Sequence, residues 1–387
     1  MDGARKPGAK ILVSGGARCN VTNARVTERD FWGGKRTVIR RVLNALPIAE
    51  TIAFFAEAGV TLHEEEHGKL FPDSNRARDV LDALMRALQR SGAGLTAETR
   101  ATAVEQVGDC LQVDTSAGRL DARAVVLATG GKSLPKTGSD GAGYEMARRF
   151  GHTIVPPVPG LAPLVLAGTP DAIHSALSGV AHDVDVEVRV DGSVAVRLTG
   201  ALLWTHFGVS GPVVLNASRH WSRAVQEGRH VRLSLSFFPG ERFEQVDARL
   251  AAIAAARGTT SLGKALASIL TASVAGVVVD RLRLDPASAL SQLTRADRRR
   301  LAHALAGWPL PVVDSRGYNY AEVTAGGVAL DEIDPATMES RKCPGLFLVG
   351  EILDVDGRIG GFNFQWAWSS ARAAAGGVAR RLTRAER

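Results

Sequence analysis

The run from Gly15 to Asn23, Gly-Gly-Ala-Arg-Cys-Asn-Val-Thr-Asn, concentrates groups that can bind a ligand. Glycines let a backbone approach a bound molecule closely, and the arginine and asparagines supply hydrogen-bond donors and acceptors. The apolar residues 11–13 just before the run predict a short strand, which would place the run in a strand-following loop. Cys19 lies within the run and has no second cysteine near it in sequence. We therefore predict that Cys19 packs as a small buried residue rather than acting in redox chemistry.

A second candidate binding segment covers residues 350–382. An apolar strand ends at Gly350, an acidic turn follows, and Gly360-Gly361 precedes a long helical run that carries two arginines in its last turns. The free amides at the start of such a helix suit a ligand that gains negative charge, as a reduced flavin does. These glycines could form only a turn, but the combination favours a cofactor site.

The run His-Glu-Glu-Glu-His at 63–67 matches the His-Glu-x-x-His pattern of zinc proteases. That site requires both histidines on one face of a helix. Gly59 and Gly68 bracket the run, and the preceding Val-Thr-Leu favours a strand, in which the two histidines would lie about 13 Å apart. We therefore predict a surface hairpin and no metal site.

Two further runs carry weaker signals. Residues 138–143, Gly-Ser-Asp-Gly-Ala-Gly, precede a helical run and could bind an anion through backbone amides. Their spacing is not Gly-x-Gly-x-x-Gly and no strand leads directly into them, so a flexible helix start is favoured. Residues 208–212, Gly-Val-Ser-Gly-Pro, lack the spacing of a hydrolase nucleophile elbow.

The elements that would position these runs change in type along the chain. Apolar runs at 122–131 and 345–351 end in or near glycine and predict buried parallel strands of one α/β domain. Between them, residues 182–198 alternate apolar and polar residues around an Asp-Gly turn, which predicts a hairpin. Residues 241–307 are alanine-rich and predict three helical runs, separated by Gly258 and by an Asp-Pro pair.

Composition places the chain of 387 residues among ordinary globular proteins, with 45% hydrophobic and 22% charged residues. The three cysteines are widely spaced and odd in number, which excludes a disulfide framework and fits a reducing compartment. The sequence shows neither a signal peptide nor an apolar run long enough to cross a membrane. We therefore predict a soluble cytoplasmic protein; its oligomeric state does not follow from the sequence.

The formal net charge of +7 raises the question of nucleic-acid binding. The arginines are scattered along the sequence, without a basic stripe interleaved with aromatic residues. The densest cluster, at 295–303, is typical of the polar face of a helix. On these grounds a solvated surface is favoured over a nucleic-acid site.

At this point the chain resembles the BaiN/RdsA (YhiN-like) family of NAD(P)/FAD-dependent oxidoreductases. The resemblance covers residues 2–377 and is carried by five runs in order. They are KPGAKILVSGGARCNVTN, KLFPDSNRARDVLDAL, VVLATGGKSLPKTGSDGAGY, LLWTHFGVSGPVVLNASR and AEVTAGGVALDEIDPATMESRKCPGLFLVGEILDVDGRIGGFNFQWAWSS.

The resemblance implies an α/β fold, with a Rossmann-like three-layer FAD-binding domain that is interrupted by a β-barrel-like domain with a helical subdomain. The expected FAD-binding domain comprises residues 1–155 and 316–387. The β-rich domain would comprise 156–240 and 308–315, and the helical subdomain 241–307.

The resemblance also implies site residues. Asp2 would bind the adenosine ribose, and the backbone of Ala101 would face the adenine. The other cofactor-binding positions that it implies are Gly15, Gly16, Arg18, Cys19, Asn20, Gly130, Gly131, Gly350, Glu351, Asp356, Gly361, Phe362 and Asn363. It assigns no catalytic acid or base; His206, Lys136 and Arg358 are candidates only because they are polar residues near the motifs.

In this family a strand, a Gly-x-Gly-x-x-Gly loop, a helix and a second strand precede the Lys-Pro-Gly turn, and the second strand ends in the ribose-binding acid. Asp2 stands in the position of that acid, five residues before Pro7. The chain is thus expected to start at the end of the second strand, without the first βαβ unit, and to bind FAD poorly as numbered. Ala17 also replaces a third glycine that is usual in the Gly-Gly-Gly-Arg-Cys-Asn motif.

The function implied by the resemblance is reduction of a conjugated double bond in an organic acceptor, with FAD as cofactor and NAD(P)H as electron donor. Two alternatives stay open. The chain could be a truncated, non-catalytic remnant that does not hold FAD, or an RNA-modifying or RNA-binding flavoprotein. The identity of the acceptor does not follow from the sequence.

Overall fold

The computed structural model describes residues 1–168, 172–256 and 259–385, so the predicted helix break at Gly258 lies outside the described residues. The chain divides into two compact units, Met1–Pro159 with Tyr318–Arg387, and Gly160–Gly317. The finer boundaries expected within the second unit stay a prediction.

Eleven α-helices lie in the described residues. They are α1 (Ala9–Ala17), α2 (Arg36–Leu43), α3 (Ile48–Glu57), α4 (Ala77–Arg90), α5 (Ala142–Arg149), α6 (Pro212–Gln226), α7 (Phe243–Ala256), α8 (Leu262–Ala267), α9 (Ala272–Arg281), α10 (Arg295–Ala306) and α11 (Phe362–Ala385). No helix among them combines the length and apolar character that crossing a membrane requires.

The strands of the same described ranges are mostly short. They are β1 (Thr22–Asn23), β2 (Phe31–Gly33), β3 (Leu62–Glu65), β4 (Lys69–Pro72), β5 (Ala101–Val107), β6 (Cys110–Thr115), β7 (Gly118–Ala122), β8 (Val125–Leu127), β9 (Ile154–Gly160), β10 (Leu164–Leu166), β11 (Ala181–Val190), β12 (Ser193–Thr205), β13 (Gly208–Ser210), β14 (Val231–Ser236), β15 (Trp308–Leu310), β16 (Val312–Ser315), β17 (Val323–Val328), β18 (Leu346–Leu348) and β19 (Val355–Gly357).

The first unit is built around two strands from distant parts of the sequence. β8 and β18 pair in parallel, with Leu127 opposite Leu348. Both leucines are buried in a core that also contains Phe362 and Trp366 of α11. The two predicted buried strands are therefore confirmed, although each is shorter than the apolar run that predicted it.

α11 begins where the glycine pair predicts. Gly361 has a φ of +94° and lies so close to β1 that a Cβ there would meet the Thr22 carbonyl oxygen at 2.4 Å. A side chain would not fit at this position, which explains why the chain enters the helix through glycine. The Trp366 indole N–H then donates to the Gly350 carbonyl, which ties α11 to the segment after β18.

The segment before Gly15 differs from the prediction. Residues 11–13 lie in α1, where the Leu12 N–H donates to the Gly8 carbonyl, so the predicted strand is wrong. Three consecutive apolar residues are too few to separate a helix from a strand. Ile11 and Leu12 pack against a buried cluster that includes Val80 of α4, whereas Val13 is exposed. Residues 14–17 depart from helical geometry, since Ser14 is extended and Gly15, Gly16 and Ala17 have positive φ.

Asp2 does not end a strand, contrary to expectation. Its N–H donates to the Thr96 carbonyl, and its carbonyl accepts the Thr99 N–H. The residue is thus held by hydrogen bonds to the loop before β5, outside any regular strand.

The second unit contains a seven-stranded sheet in the order β15-β14-β11-β12-β13-β10-β16. The predicted hairpin is confirmed, because β11 and β12 pair in antiparallel register on either side of Asp191-Gly192. The closure of this sheet into a barrel stays a prediction. α6 interrupts the β-rich segment and was not expected from its alternating pattern. Residues 241–307 are helical as predicted, but their described part contains four helices, α7 to α10, rather than three, because the second predicted run breaks between α8 and α9.

Candidate functional site

Four segments that are distant in sequence meet at the carboxylate of Glu351. Lys10 forms an ion pair with Glu351 Oε2 and donates to Ser133 Oγ at 2.6 Å. Ser133 Oγ donates to Glu351 Oε1 at 2.6 Å, and the Thr324 N–H donates to the same oxygen at 2.9 Å. Because Lys10 and Glu351 keep some solvent access, this polar cluster is not sealed inside the protein.

The elements that position this cluster are those of the Rossmann-like core. Glu351 follows β18 in a short 3₁₀ turn, and Thr324 lies in β17. Ser133 follows the glycine turn after β8, and Lys10 lies in the first turn of α1. Ligands in open α/β sheets bind beyond the carboxyl ends of the strands, which is where Glu351 and Ser133 lie.

The glycine turn after β8 packs directly on the cluster. Gly130 has a φ of +70°, and a Cβ on it would meet Ser139 Oγ at 2.8 Å. A Cβ on Gly131 would meet Thr324 Oγ1 at 2.4 Å and Glu351 Oε1 at 2.9 Å. Thr324 Oγ1 also accepts the Ser133 N–H at 3.1 Å. Neither position leaves room for a side chain, so both residues must be glycine, and the close packing keeps the turn in one conformation.

Three buried polar atoms beside these loops have no hydrogen-bond partner in the described structure: Asn20 Oδ1, Thr129 Oγ1 and Tyr144 Oη. Asn20 Oδ1 lies 2.8 Å from where a Cβ on Gly361 would be, so it faces the start of α11. Burial raises the pKa of Tyr144, and the charge of Glu351 adds to that shift. An unpaired buried polar atom costs free energy unless a ligand or water pairs with it, so these atoms are candidates for ligand contacts.

The run at 15–23 combines unusual backbone with a buried cysteine. Gly15, Gly16, Ala17 and Cys19 all have positive φ, at 54°, 68°, 66° and 62°. Cys19 is fully buried, as predicted, and desolvation raises the pKa of its thiol to about 11. A thiol with that pKa stays protonated at neutral pH, so it is a poor nucleophile.

Arg18 points toward the β3–β4 hairpin. Its guanidinium donates to Glu65 at 2.6 Å and to Asn75 Oδ1 at 3.2 Å, and lies 4.0 Å from the centre of the Phe71 ring. The expected role of Arg18 in lining the cofactor region stays a prediction, and these contacts give it a structural role as well.

The start of α11 presents backbone rather than side chains. Phe362 is buried against Phe31, with ring centroids 6.3 Å apart. The Asn363 side chain accepts the Gly357 N–H at 2.8 Å and donates to the Gly357 carbonyl at 2.9 Å. The amides of the first helical turn have no partner within the helix, so they are the groups here that suit an anion.

The remaining positions implied by the resemblance have backbone or side-chain groups that are already hydrogen-bonded or at least partly buried. The Gly350 N–H donates to Ser370 Oγ and its carbonyl accepts from Trp366, so the peptide groups of Gly350 are already paired. Asp356 is buried in β19. Ala101 is half-buried at the start of β5, and the Asp2 carboxylate accepts the Ala4 N–H at 2.8 Å.

The three catalytic candidates differ in their local surroundings. His206 is exposed in the turn between β12 and β13 of the second unit. Lys136 is exposed in a 3₁₀ turn of the first unit. Arg358 is held more tightly, by an ion pair with Asp30 at 3.0 Å and a position 4.6 Å from the centre of the Phe362 ring. Arg358 is therefore the candidate that lies at the start of α11.

The His-Glu-Glu-Glu-His run forms the predicted hairpin, with His63 in β3 and His67 in the 3₁₀ turn that precedes β4. His63 lies 3.5 Å from Glu65 and 3.3 Å from Asp73. Across the described ranges, no group of three His, Cys, Asp or Glu residues has an arrangement that could hold a metal ion. The absence of a metal in solution stays a prediction.

Several residues of the site do not follow from the sequence reasoning: Lys10, Thr129, Ser133, Tyr144 and Thr324. All five lie in runs that carry the family resemblance. The signal that could have identified them is a polar residue within or directly after an otherwise apolar or glycine-rich segment. Such a residue needs a polar partner when it is buried.

This arrangement defines a Rossmann-like protein with a polar, glycine-lined site beyond the ends of its parallel strands. The family described as "HI0933-like protein Rossmann domain" matches residues 1–377. The chain belongs to this family of flavoproteins, which confirms the resemblance.

Curated relatives match along nearly the whole chain. The "3-dehydro-bile acid delta(4,6)-reductase" of Clostridium scindens is 33% identical over 382 residues, which are 97% of this chain and 90% of the relative. The "Ribosomal RNA dihydrouridine synthase" of Escherichia coli is 33% identical over 380 residues, with the same coverage. Among solved structures, a flavocytochrome c3 fumarate reductase in its open conformation is similar with a TM-score of 0.43 and 14% identity, over 98% of this chain and 73% of that one.

Proposed function

We propose that the protein is an FAD-dependent reductase of carbon–carbon double bonds that are conjugated with a carbonyl group, with NAD(P)H as the electron donor. The relatives support the reaction type, since one is named a delta(4,6)-reductase and another a dihydrouridine synthase. Both names describe a reaction in which a conjugated double bond becomes saturated.

The residues present fit FAD. The cofactor carries phosphates, hydroxyls and a ring edge with both N–H and carbonyl groups. The first-turn amides of α11 favour negative charge, while Asn20 Oδ1 can accept from an N–H or O–H group. The Thr129 and Tyr144 hydroxyls can each donate to an oxygen.

FAD, when bound, supplies hydride transfer from the nicotinamide to the electron-poor carbon of the acceptor. The protein holds the surrounding groups in place. Glu351 holds Lys10 and the turn at Gly131 in place, and so keeps a closely packed backbone at the site. Cys19 stays protonated and takes no part in the transfer of electrons.

The observation that carries this proposal is the set of unpartnered buried atoms, Asn20 Oδ1, Thr129 Oγ1 and Tyr144 Oη, beside two glycine-opened helices. What sets these three atoms apart from other unpartnered atoms, such as Thr205 Oγ1 of the second unit, is their position beside the glycine turns and helix starts of the first unit.

Two measurements test the proposal. FAD is titrated into the protein and its fluorescence quenching is followed, which detects weak as well as tight binding. Oxidation of NADH and NADPH is then measured with cyclohexenone as acceptor and with cyclohexanone as the saturated control. We expect saturable FAD binding and FAD-dependent consumption of one nicotinamide with the enone only. No FAD binding, or equal rates with both ketones, would contradict the proposal.

A further inference from the structure

One residue of the segment around β17 reaches solvent although its neighbours do not. Ala321 and residues 323–328 are all buried, whereas Glu322 is exposed. The N–H of Thr324 donates to Glu351, and Glu322 stands two residues, at most about 7 Å along the chain, before Thr324. The segment therefore brings a carboxyl group with access to water close to the candidate site.

The fold does not use the carboxyl group of Glu322. Across residues 1–168, 172–256 and 259–385 it takes part in no hydrogen bond and no ion pair, and the charge that acts on it is the ammonium of Lys10 in α1. The oxygens of Glu351, in contrast, are occupied by Lys10, Ser133 and the Thr324 N–H. Glu322 is thus the carboxyl group of this cluster that is left for chemistry.

The surroundings of Glu322 favour its protonated form. Desolvation by the surrounding protein raises the pKa of its carboxyl group, and the charge of Lys10 opposes that rise without cancelling it. Solvent access combined with desolvation is what a carboxyl group experiences in an open cleft that has protein on most sides. A carboxyl group with a raised pKa keeps its proton closer to neutral pH, where it can serve as a general acid.

Saturation of a conjugated double bond requires a proton as well as a hydride. As the carbon–carbon π bond breaks, one carbon gains the hydride, which NAD(P)H supplies through FAD. The carbon next to the carbonyl group gains a proton. An acid of the protein that gives this proton must recover one from water before the next turnover, so it needs both a transferable proton and solvent access.

Three other groups at the site meet these requirements less well. Burial raises the pKa of the Tyr144 hydroxyl, which makes it a weaker acid, and closes it off from water. Cys19 is fully buried, with a thiol pKa of about 11. The ammonium of Lys10 is held in its ion pair with Glu351. Of these groups and Glu322, only Glu322 combines a transferable proton with access to water.

We propose that Glu322 is the proton donor in the reduction of the acceptor. Its carboxyl O–H bond breaks, the proton goes to the carbon next to the carbonyl group, and the carboxylate that remains takes a proton from solvent. The positive charge of Lys10 stabilises that carboxylate while it lasts. This rests on the proposed function and names the acid that the function requires.

The first test separates proton transfer from electron transfer. Each protein is loaded with FAD and supplied with NADH or NADPH and one of two acceptors. Cyclohexenone needs a proton on carbon, whereas ferricyanide takes electrons alone. The variants are Glu322→Gln, Glu322→Asp and, as the matched control, Glu57→Gln, which removes an exposed carboxyl group of α3.

We expect Glu322→Gln to reduce cyclohexenone about 100-fold or more slowly, since general acids contribute about that much. It should reduce ferricyanide at the unmodified rate. Glu322→Asp keeps a carboxyl group and should retain more cyclohexenone reduction than Glu322→Gln. Glu57→Gln should match the unmodified protein with both acceptors.

The second test needs no FAD. Because the folded pKa of Glu322 lies above the unfolded value of about 4.3, the unmodified protein loses stability as the pH rises above that value. Glu322→Gln cannot ionise, so it should unfold at a higher urea concentration than the unmodified protein at about pH 8. The difference should shrink toward zero as the pH falls to about 4, and Glu57→Gln should show no such trend. No difference at about pH 8 would overturn the proposal.

The outcomes separate this proposal from the proposed function. Full cyclohexenone reduction by Glu322→Gln would overturn the proton transfer and leave the reductase intact. Equal losses with cyclohexenone and ferricyanide would also overturn it, because Glu322 would then act on FAD or on the fold. Absence of FAD binding or of cyclohexenone reduction in the unmodified protein would contradict the proposed function itself, and the proton transfer with it.

Discussion

Two glutamates of the first unit, Glu351 and Glu332, lie in short 3₁₀ turns and each pairs with a lysine, but the groups around them differ. Glu332 accepts from His152 Nδ1 at 2.9 Å, from Lys342 at 2.8 Å, and from both the N–H and the hydroxyl of Thr153 at 2.9 Å. Glu351 also has its oxygens satisfied, but Thr129 and Tyr144 nearby keep unpaired buried hydroxyls.

The side chains that form the network around Glu332 satisfy one another's hydrogen-bonding groups. His152 is buried, and because a carboxylate can only accept, its Nδ1 donates to Glu332 while its Nε2 accepts from Ser340. This resembles the order of a hydrolytic triad, but Ser340 Oγ also accepts the N–H groups of Lys342 and Cys343 at 3.0 Å and is buried. A complete network joins segments of the chain, whereas an incomplete one leaves groups for a ligand.

The largest effect is expected at Glu332. The surrounding donors lower the pKa of its carboxyl to about 2, against an opposing effect of burial. A shift of that size corresponds to about 3 kcal/mol of stability at neutral pH. Glu332→Gln should therefore lower the free energy of unfolding by about that amount in urea titrations. Asp331→Asn, at the exposed neighbouring carboxylate, is the control and should change it by less than about 0.5 kcal/mol.

The stability of the unmodified protein and that of Glu332→Gln should also depend differently on pH. Because the folded pKa of Glu332 is lower than the unfolded one, its contribution is full above about pH 5 and is lost as the pH falls toward 2. Burial also lowers the pKa of His152, so protonation in the unfolded state further reduces stability at acidic pH. The stability difference between the unmodified protein and Glu332→Gln should stay constant from pH 7 to about pH 5 and then shrink as the pH falls further. A difference that did not change below pH 5 would show that the charge of Glu332 is not its source.

Effects of intermediate size are expected at two threonines, one in each unit. Thr129 in the first unit and Thr205 in the second each have a buried Oγ1 without a partner. Replacing either with valine removes an unsatisfied hydroxyl and should raise the stability of the FAD-free protein by about 1 kcal/mol. Only Thr129→Val should also weaken FAD binding, by about 5-fold or more. Equal FAD affinity of both variants would show that Thr129 is not a ligand contact.

The smallest effect is expected at Ala17, which has a φ of 66°. Glycine adopts this backbone without strain, so Ala17→Gly should stabilise the protein by up to about 1 kcal/mol or leave it unchanged. Ala9→Gly, in the first turn of α1, should destabilise by up to about 1 kcal/mol because the backbone there is helical. A thermal melt of both variants measures the contrast.

The sequence predicted the parts of the fold whose pattern is local. The hairpin at 182–198 alternates over many residues, and the start of α11 carries a glycine pair before a long helical run. Residues 11–13 were misassigned because three apolar residues carry too little periodicity to separate a strand from a helix.

Within the candidate site, the sequence predicted the residues whose role depends on their own backbone. The glycines at 130–131 and 360–361 mark their own backbone requirements, so sequence alone points to them. Lys10 and Thr324 become site residues only when the chain folds and brings them to Glu351. Their meeting depends on tertiary packing over long sequence separations, which no local pattern records.

FAD affinity in Glu351→Gln and Glu332→Gln tests the central claim most directly, with titration by fluorescence quenching at neutral pH and urea unfolding of the same samples. Loss of the Glu351 charge removes a charge-assisted hydrogen bond that fixes Lys10 and the turn at Gly131, so FAD affinity should fall about 10-fold or more. Glu332→Gln should lose stability and keep its FAD affinity. If Glu332→Gln weakened FAD binding as much as Glu351→Gln, the distinction between a ligand-binding and a structural network would be wrong.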